Sequence, residues 1–308
     1  MKNIRLEFAN TMLEVGQKNP DLIVLVSDIS HGILKTFAQK CPGQFYNVGI
    51  CEQSVVNMAA GLSKINLIPV VHTIAPFIVE RSYEQIKLDF GYQRLGVNII
   101  TVGGSFDYSQ LGCSHHCYAD VSLMSHFARS SIFIPGTPKE FNLLFKENYN
   151  NGRINYFRIS NSTHDIDVDE NVLKSSKGIL IKKGTDVTIV TIGPQLQTAI
   201  KASEKLLKEK SISAEIIYFP TLKPFDYDLV RTSVKKTKKL ISFEELSAHD
   251  GLFNLCIKST IGIKDILVDQ IAIKDFIHEY GSFEDLCTFS GLTVENLYKK
   301  VILLLAKK

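Results

Sequence analysis

The stretch FYNVGICEQS, from Phe45 to Ser54, places a single carboxylate where the chain passes from a short apolar run into a helical pattern. That carboxylate is Glu52, and it would lie in the first turn of the helix. A glutamate at such a position is commonly a surface residue that the helix dipole stabilises. In parallel sheets, however, ligands gather where strands end and helices begin. The stretch by itself therefore leaves both a surface role and a ligand-binding role open for Glu52.

Short β-branched runs alternate with helical periodicity on both sides of this stretch. The candidate strands are LIVLVS (22–27), LIPVV (67–71), VNIITV (97–102), SIFI (131–134), INYFRIS (154–160), DVTIVTIG (186–193), AEIIYF (214–219) and KLISFEE (239–245). Helical patterns lie near 194–210, after LKPFD (222–226) and from about Thr293. This alternation predicts parallel sheets covered by helices, which is the α/β class.

A polar stretch, NSTHDIDVDENVLKSSKG (161–178), interrupts the alternation and contains few large apolar residues. Its turn-forming residues indicate a connection between domains. We therefore predict a first domain over 1–165, a linker over 166–180 and a smaller α/β domain over 181–308. With 308 residues, 45% of them hydrophobic, the chain is long enough for two packed cores.

Charge and cysteine content argue against several function classes. The net charge is +3, and the lysine run KKTKK (235–239) lacks interleaved aromatic residues, which favours a solvated helix end over a nucleic-acid patch. Six cysteines show no paired spacing except Cys113 with Cys117, and we find no signal peptide, so we expect a cytoplasmic protein. No stretch approaches the roughly 18 apolar residues that a membrane span requires.

The ends of several candidate strands carry residues that could form a site. Parallel strands end at a common edge, where loop amides and helix N-termini converge. Such positions are occupied by Asp28, Glu52, Thr73 and the loop from Gly103 to His115. We expect the catalytic site at the carboxyl edge of the first sheet.

Three longer segments follow Glu52 in order. They are GLSKINLIPVVHTIAPFIVERSYEQIK (61–87), GCSHHCYADVSLMSHFARSSIFIPGTPKE (112–140) and YFRIS (156–160). This succession resembles the C-terminal half of transketolase, as carried by bacteria that split the enzyme into two polypeptides, and the resemblance covers nearly the whole chain. The resemblance implies a pyrimidine-binding domain for thiamine diphosphate, a transketolase C-terminal domain, and transfer of a two-carbon ketol unit between sugar phosphates.

The resemblance also implies which residues bind the cofactor. In this family the glutamate of a GI-x-EQ motif hydrogen-bonds N1′ of the aminopyrimidine, and Glu52 matches it. A carboxyl group in an apolar cleft forms a strong, weakly screened hydrogen bond to a ring nitrogen. A segment of the form TF-x-x-F supplies an aromatic wall; in TIAPF (73–77) Phe77 matches the second aromatic and Ile74 replaces the first. Asp28 matches a polar residue near the cofactor.

Substrate contacts are implied in the same way. His115 matches the histidine of a G-x-[ST]-HQ signature, which reaches substrate oxygens and can assist proton transfer, while His116 replaces the glutamine. Arg158 matches an arginine that grips the substrate phosphate, a bidentate task that suits a guanidinium. Arg5 is a second candidate for this phosphate. The C-x-H-H-C spacing (113–117) is too cramped to assume a tetrahedral zinc site, so zinc is the less favoured alternative.

Two departures from the family pattern concern the substrate. Leu111 stands where the family has an aspartate that recognises a sugar hydroxyl, and Gly103 stands where it has a histidine. A site that bonds a hydroxyl discriminates strongly against substrates without it. We therefore hypothesise that the substrate is not a standard pentose phosphate but a deoxy, branched or nucleotide-linked sugar.

The family binds the cofactor's diphosphate and Mg²⁺ through a GDG motif in its N-terminal half, and GDG occurs nowhere in these 308 residues. The resemblance thus implies an N-terminal partner subunit that carries this motif and binds the Mg²⁺, with thiamine diphosphate shared between the chains. An α2β2 heterotetramer is the expected assembly.

Two other functions stay open. The β subunit of a 2-oxoacid dehydrogenase has the same two-domain plan and also supplies a glutamate to the pyrimidine, but it transfers acyl groups to lipoamide. A non-catalytic interaction protein that kept the fold is the second possibility, because Ile74, Gly103 and Leu111 depart from the family. A cofactor titration with the partner present would distinguish it.

Overall fold

The computed structural model describes residues 3–307, so Met1, Lys2 and Lys308 lie outside the described part. Its strands are β1 (Leu22–Val26), β2 (Phe45–Asn47), β3 (Ile68–Ile74), β4 (Val97–Val102), β5 (Ser130–Phe133), β6 (Ile154–Arg158), β7 (Ile179–Lys182), β8 (Val187–Ile192), β9 (Ala214–Phe219), β10 (Thr221–Lys223), β11 (Lys239–Ser247) and β12 (Leu267–Ile273). Its α-helices are α1 (Ile4–Gly16), α2 (Lys35–Lys40), α3 (Glu52–Lys64), α4 (Tyr83–Gln85), α5 (Asp120–Ser125), α6 (Pro138–Asn148), α7 (Leu196–Lys210), α8 (Tyr227–Thr237), α9 (Leu252–Thr260), α10 (Phe283–Phe289) and α11 (Val294–Ala306).

The first sheet has seven strands in the order β10-β5-β6-β4-β3-β1-β2. Its neighbours are parallel except β10, which runs antiparallel to β5 with Thr221 opposite Phe133. The sequence pattern did not predict β2 and β10, because strands of three residues are too short to show a period. Since β10 follows the second domain's β9 in sequence, the two halves of the chain share this sheet.

The second sheet has five strands in the order β12-β11-β8-β9-β7. Only its edge strand β7 is antiparallel to its neighbour within the described residues. The pattern also did not predict β7 or β12, and β12 contains Asp269 and Gln270 on a half-buried strand, which interrupts the apolar run. The predicted α/β class with parallel-rich sheets is confirmed.

Both faces of the first sheet are covered. Ile23 and Leu25 of β1 pack in the core that contains Val55 of α3, whereas the alternating residue Val24 packs in the core that contains Phe8 of α1 and residues of α6. Such two-sided burial is why the parallel strands are continuous apolar runs.

No helix within residues 3–307 is long and apolar enough to cross a lipid bilayer.

The segment between the two sheets is irregular. Residues 159–178 form neither helix nor strand. We keep the division into 1–165, 166–180 and 181–308 as a proposal. The carboxyl ends of β1, β2, β3 and β4 lie along one edge of the first sheet, and this edge positions the candidate site.

Candidate active site

Residues at the carboxyl ends of neighbouring strands lie along one edge of the first sheet. Ile74 ends β3, Gly103 follows β4, and Asp28 lies just beyond β1. The Asp28 N–H donates to Asn47 Oδ1 at 3.0 Å, and the Asn47 amide donates back to Asp28 Oδ1 at 3.0 Å. This reciprocal pair joins the ends of β1 and β2, immediately before the turn that leads into α3.

Glu52 is almost entirely buried, with 1% of its surface exposed, although it is the first residue of a helix. We call residues 47–52 the Glu52 turn. Gly49 has a φ of +83°, a conformation that glycine adopts readily, and its N–H donates to Asn47 Oδ1 at 3.2 Å. Glu52 Oε2 accepts a hydrogen bond from Arg81 Nη1 at 3.0 Å, and Oε1 has no hydrogen-bond partner within residues 3–307. The buried carboxylate therefore keeps one oxygen for a ligand.

Arg81 is a site residue that the sequence analysis missed. It follows the π-helical segment Pro76–Glu80, and its guanidinium carbon lies 4.5 Å from the centroid of the Phe77 ring. A cation over an aromatic face is an attractive contact. Arg81 thus joins Glu52 to Phe77. The sequence offered one signal, a cation one helical turn after Phe77 in the segment ERSYEQIK.

His115 lies at the end of the 3₁₀ turn Cys113–His115 and is half-buried. Its ring packs edge-on against Phe77 with the centroids 5.1 Å apart, and its Nδ1 lies 3.0 Å from Ser114 Oγ. The structure therefore brings together Glu52, Phe77 and His115, three residues that the sequence analysis selected. We call residues 103–118 the His115 loop.

The rest of the C-x-H-H-C segment is dispersed. His116 is buried edge-on to Phe106, with ring centroids 6.5 Å apart, and burial lowers the pKa of its imidazole. Cys117 lies 3.5 Å from Glu80 Oε1, whereas Cys113 is exposed. In the described range, 3–307, no cluster of three or more His, Cys, Asp or Glu side chains could hold a metal ion.

The two departures from the family pattern lie on the His115 loop. Gly103 has a φ of +77°, and a Cβ there would lie 2.6 Å from the ring of Tyr108. Leu111 is 53% exposed. Ile74 is half-buried next to Gly103. The positions predicted to alter the substrate preference are thus neighbours of His115 in space or along the loop.

Arg5 reaches the same sheet edge through a chain of hydrogen bonds. Its Nη2 donates to Ser30 Oγ at 2.9 Å, and Ser30 Oγ lies 2.9 Å from Nε2 of the buried His72. The His72 Nδ1 faces the Ile100 carbonyl at 2.8 Å and must donate to it, so the Ser30 hydroxyl donates to Nε2. Burial, with the charge of Arg5, lowers the pKa of His72 to about 4, although the bond to Ile100 opposes this. A neutral His72 therefore holds Ser30 and Arg5.

Arg158 has a different environment from the one expected of a substrate ligand. It is 2% exposed, with Nε 2.8 Å from Asp120 Oδ2 and Nη1 3.0 Å from Glu245 Oε1. Its Nη2 donates to the Cys117 carbonyl at 3.4 Å, and a Cβ at Gly104 would lie 2.5 Å from Nε. In this conformation the guanidinium joins the two domains and has no exposed face, so its phosphate contact stays a prediction.

These residues fit the pyrimidine end of thiamine diphosphate. The free Oε1 of a buried carboxyl group can bond a ring nitrogen, and the half-buried side chains of Phe77 and Ile74 provide apolar surface at the same sheet edge. The diphosphate end would require Mg²⁺ and oxygen ligands, and no acidic cluster among the described residues matches that need. The fit is confined to one end of the cofactor.

Comparisons with known proteins agree with this assignment. The family model "Transketolase, pyrimidine binding domain" matches residues 1–163, and "Transketolase, C-terminal domain" matches residues 176–297. An apulose-4-phosphate transketolase subunit of Phocaeicola vulgatus is 29% identical over 97% of this chain and 96% of that protein. The 6-deoxy-6-sulfo-D-fructose transketolase subunit SqwH of a Clostridium species is 26% identical over 96% of this chain and 92% of that protein.

A solved structure is similar over almost the full length. It is described as a split gene transketolase, inactive beta4 tetramer, and it matches with a TM-score of 0.89 at 28% identity, covering 99% of each chain. The two family models match in the order that the sequence motifs predicted, and the first covers more than half of the chain. The chain belongs to the transketolase family and carries its pyrimidine-binding domain followed by its C-terminal domain.

Proposed function

We propose that this protein is the C-terminal subunit of a thiamine-diphosphate-dependent, transketolase-like enzyme that transfers a two-carbon ketol unit between sugar or sugar phosphate substrates. The observation that supports the proposal most strongly is the burial and hydrogen bonding of Glu52. It is a buried carboxylate with one oxygen held by Arg81 at 3.0 Å and the other without a hydrogen-bond partner in the described part of the chain, and Phe77 and His115 lie close by.

Each residue of this group has a distinct role. Glu52 Oε1 bonds the pyrimidine nitrogen and holds a proton there, while Arg81 fixes the other oxygen. Phe77 and Ile74 exclude water from the pyrimidine, and His115 hydrogen-bonds a substrate oxygen and assists proton transfer. Asp28 lies on the cofactor side of the same edge. When bound, thiamine diphosphate supplies the nucleophilic carbon that accepts and releases the two-carbon unit.

The enzyme requires a second subunit. The chain lacks a GDG motif, and its described acidic residues form no metal-binding cluster, so an N-terminal subunit with GDG supplies the diphosphate and Mg²⁺ site. The similar solved structure, a tetramer of one subunit type described as inactive, is consistent with this division. We infer an α2β2 heterotetramer.

All six cysteines are free, which fits a reducing cytoplasm as the location of the protein.

The substrate is not a standard pentose phosphate. Leu111 stands where ordinary transketolases have an aspartate, and Gly103, which has no side chain, stands where they have a histidine. Two relatives of similar length are named for apulose 4-phosphate and for 6-deoxy-6-sulfo-D-fructose, so subunits of this kind serve varied sugars. A deoxy, branched or nucleotide-linked sugar fits such a site, and Arg5 is the candidate for a substrate anion. Arg158 would have to break its ion pairs with Asp120 and Glu245 in order to bind a substrate phosphate.

The test is reconstitution with an N-terminal subunit that carries GDG. The wild-type complex should bind thiamine diphosphate with Mg²⁺ and catalyse two-carbon exchange, and Glu52→Gln should lower the exchange rate by at least about 100-fold, since an amide cannot share the proton. The complex should still assemble, which size-exclusion chromatography checks. Glu84→Gln, at an exposed glutamate of α4, is the matched control.

Other results would contradict the proposed function or support a different one. Undiminished exchange in Glu52→Gln would contradict the proposed role of this carboxylate. Acyl transfer to lipoamide would identify a 2-oxoacid dehydrogenase subunit, and failure of the assembled complex to bind cofactor would identify a non-catalytic protein. Turnover of xylulose 5-phosphate with ribose 5-phosphate at an ordinary transketolase rate would refute the inferred substrate preference.

A further inference from the structure

Tyr108 occupies the space beside the end of β4 that a side chain at position 103 would fill. A Cβ on Gly103 would lie 2.6 Å from the Tyr108 ring and 3.0 Å from Ile74 Cγ2. Gly103 also has a φ of +77°, which disfavours any other residue. The absence of a side chain at 103 and the position of the Tyr108 ring are therefore parts of one arrangement.

The Tyr108 ring belongs to a row of aromatic side chains. It is edge-on to His115 with centroids 6.1 Å apart, and His115 is edge-on to Phe77 at 5.1 Å. The row links Tyr108 to Arg81, whose guanidinium lies over Phe77, and through Arg81 to Glu52. Tyr108 thus lies at the substrate side of the proposed site, next to the proposed catalytic histidine.

The phenol hydroxyl of Tyr108 is available for a ligand. The residue is half-buried, and its hydroxyl has no hydrogen-bond partner within residues 3–307. Burial raises the pKa of Tyr108, opposed by the charge of the nearby Arg5, so the hydroxyl is protonated at neutral pH and can donate. A half-buried tyrosine hydroxyl usually finds a partner.

Two aliphatic residues near Tyr108 contribute an apolar surface. The Leu111 N–H donates to the Tyr108 carbonyl at 2.9 Å, so the two residues close one tight turn, and Leu111 is 53% exposed. Ile74 completes the surface beside Gly103. A sugar bound against this turn meets one hydroxyl donor and two aliphatic side chains.

We propose that Tyr108 is a substrate-contacting residue: its hydroxyl hydrogen-bonds a substrate oxygen, and its ring forms, with Leu111 and Ile74, an apolar wall that favours a sugar with a deoxygenated or alkyl-bearing carbon there. This inference rests on the proposed function and names the substrate class for the same site. Tyr108 and Gly103 act as a pair, because any larger residue at 103 displaces the ring.

The experiment uses the reconstituted complex with hydroxypyruvate as ketol donor and two acceptor probes, D-ribose 5-phosphate and 2-deoxy-D-ribose 5-phosphate. Tyr108→Phe removes only the hydroxyl and should raise KM for both acceptors about tenfold with kcat within twofold, the loss expected for one hydrogen bond. Leu111→Asp should increase kcat/KM for the hydroxylated acceptor relative to the deoxy acceptor about tenfold. Tyr92→Phe, at a tyrosine that is 85% exposed, is the matched control and should behave as wild type.

The possible failures are distinguishable. If wild type exchanges two-carbon units but Tyr108→Phe matches it within twofold, or if only kcat falls, the hydroxyl contact is refuted while the proposed function stands. An unchanged acceptor ratio in Leu111→Asp refutes the apolar wall. If the wild-type complex binds no cofactor and transfers no ketol unit, the proposed function fails and this inference fails with it. Isothermal titration of the acceptors gives their affinities independently of turnover.

Discussion

The Glu52 turn and the His115 loop contribute to one site but are stabilised in different ways. The Glu52 turn depends on contacts within the first domain: Asn47 bonds Asp28 and the Gly49 N–H, and Arg81 holds Glu52. These contacts all involve elements that pack on the first sheet. We therefore expect this half of the site to form wherever the first domain folds.

The His115 loop depends on the second domain. A backbone pair between Ser105 and Cys117 closes its base. The second domain then contacts it through the ring pairs Tyr118 with Phe276, at 6.2 Å, and Phe106 with Phe283, at 5.1 Å. The Ser247 N–H also donates to the Tyr118 carbonyl at 2.9 Å, and Glu245 holds Arg158 beneath the loop.

This difference indicates that the second domain fixes the position of the His115 loop. A functional residue is placed accurately only when the residues around it are themselves fixed. The second domain contacts the His115 loop directly, whereas the side-chain hydrogen bonds that fix the Glu52 turn lie within the first domain. Damage to the domain interface should therefore loosen His115 and Tyr108 before it affects Glu52.

The largest expected effect comes from Glu245→Ala. Glu245 is fully buried, and the change leaves Arg158 Nη1 and Gln195 Nε2 without their acceptor, which should lower the free energy of unfolding by about 3 kcal/mol. Hydrogen exchange should accelerate at the amides of Ser105 and Cys117 but not in α3. The exposed Glu204→Ala in α7 is the control. Equal protection of the loop in variant and wild type would show that the second domain does not hold it.

Arg81→Ala tests the independence of the Glu52 turn. The change removes a charged hydrogen bond to Glu52 Oε2 and should weaken thiamine diphosphate binding to the reconstituted complex by about 1.5–3 kcal/mol. Exchange rates in the His115 loop should be unchanged. Calorimetric titration measures the affinity, with Lys87→Ala, at an exposed lysine, as the control. Tighter binding in the variant would mean that Arg81 competes with the pyrimidine for Phe77 instead of supporting Glu52.

His72 provides a pH test for the first domain. Its pKa is lowered to about 4, so the folded protein binds fewer protons than the unfolded chain between pH 6.5 and 4, and stability falls as the pH falls through this range. Going from pH 7 to pH 5 should cost wild type about 2 kcal/mol through this group alone. In His72→Asn that component should vanish. Urea unfolding of both proteins at the two pH values measures the difference, and parallel pH slopes would contradict it.

Phe77→Leu should have the smallest effect and probes the junction of the two regions. Leucine keeps the apolar wall but loses the ring contacts with His115 and Arg81, which should weaken cofactor binding by about 0.5–1.5 kcal/mol. Phe289→Leu, at a phenylalanine that is 57% exposed, is the control. Calorimetry on the complex measures both, and a loss as large as that in Arg81→Ala would show that the two regions are not separable here.

The sequence analysis predicted the long, regular elements well and the short ones poorly. The strands that form β1, β3 and β4 are buried on both faces, so they form apolar runs that a pattern search detects. The strands β2 and β10 have three residues each and carry no period. Their pairing is decided by neighbours that are distant in sequence, and β10 joins a sheet whose other strands precede it by many residues.

The amino-acid sequence by itself determined the α/β class, the position of Glu52 in the first turn of a helix and the family motifs, because these depend on local periodicity and on residues close together in the chain. Tertiary structure decided that Arg81 pairs with Glu52, that Tyr108 fills the space beside Gly103, and that Arg158 is buried between Asp120 and Glu245. Each of these contacts depends on how separate elements pack. The identity of an arginine or a tyrosine in the sequence does not show whether its side chain is buried in an ion pair or faces a substrate.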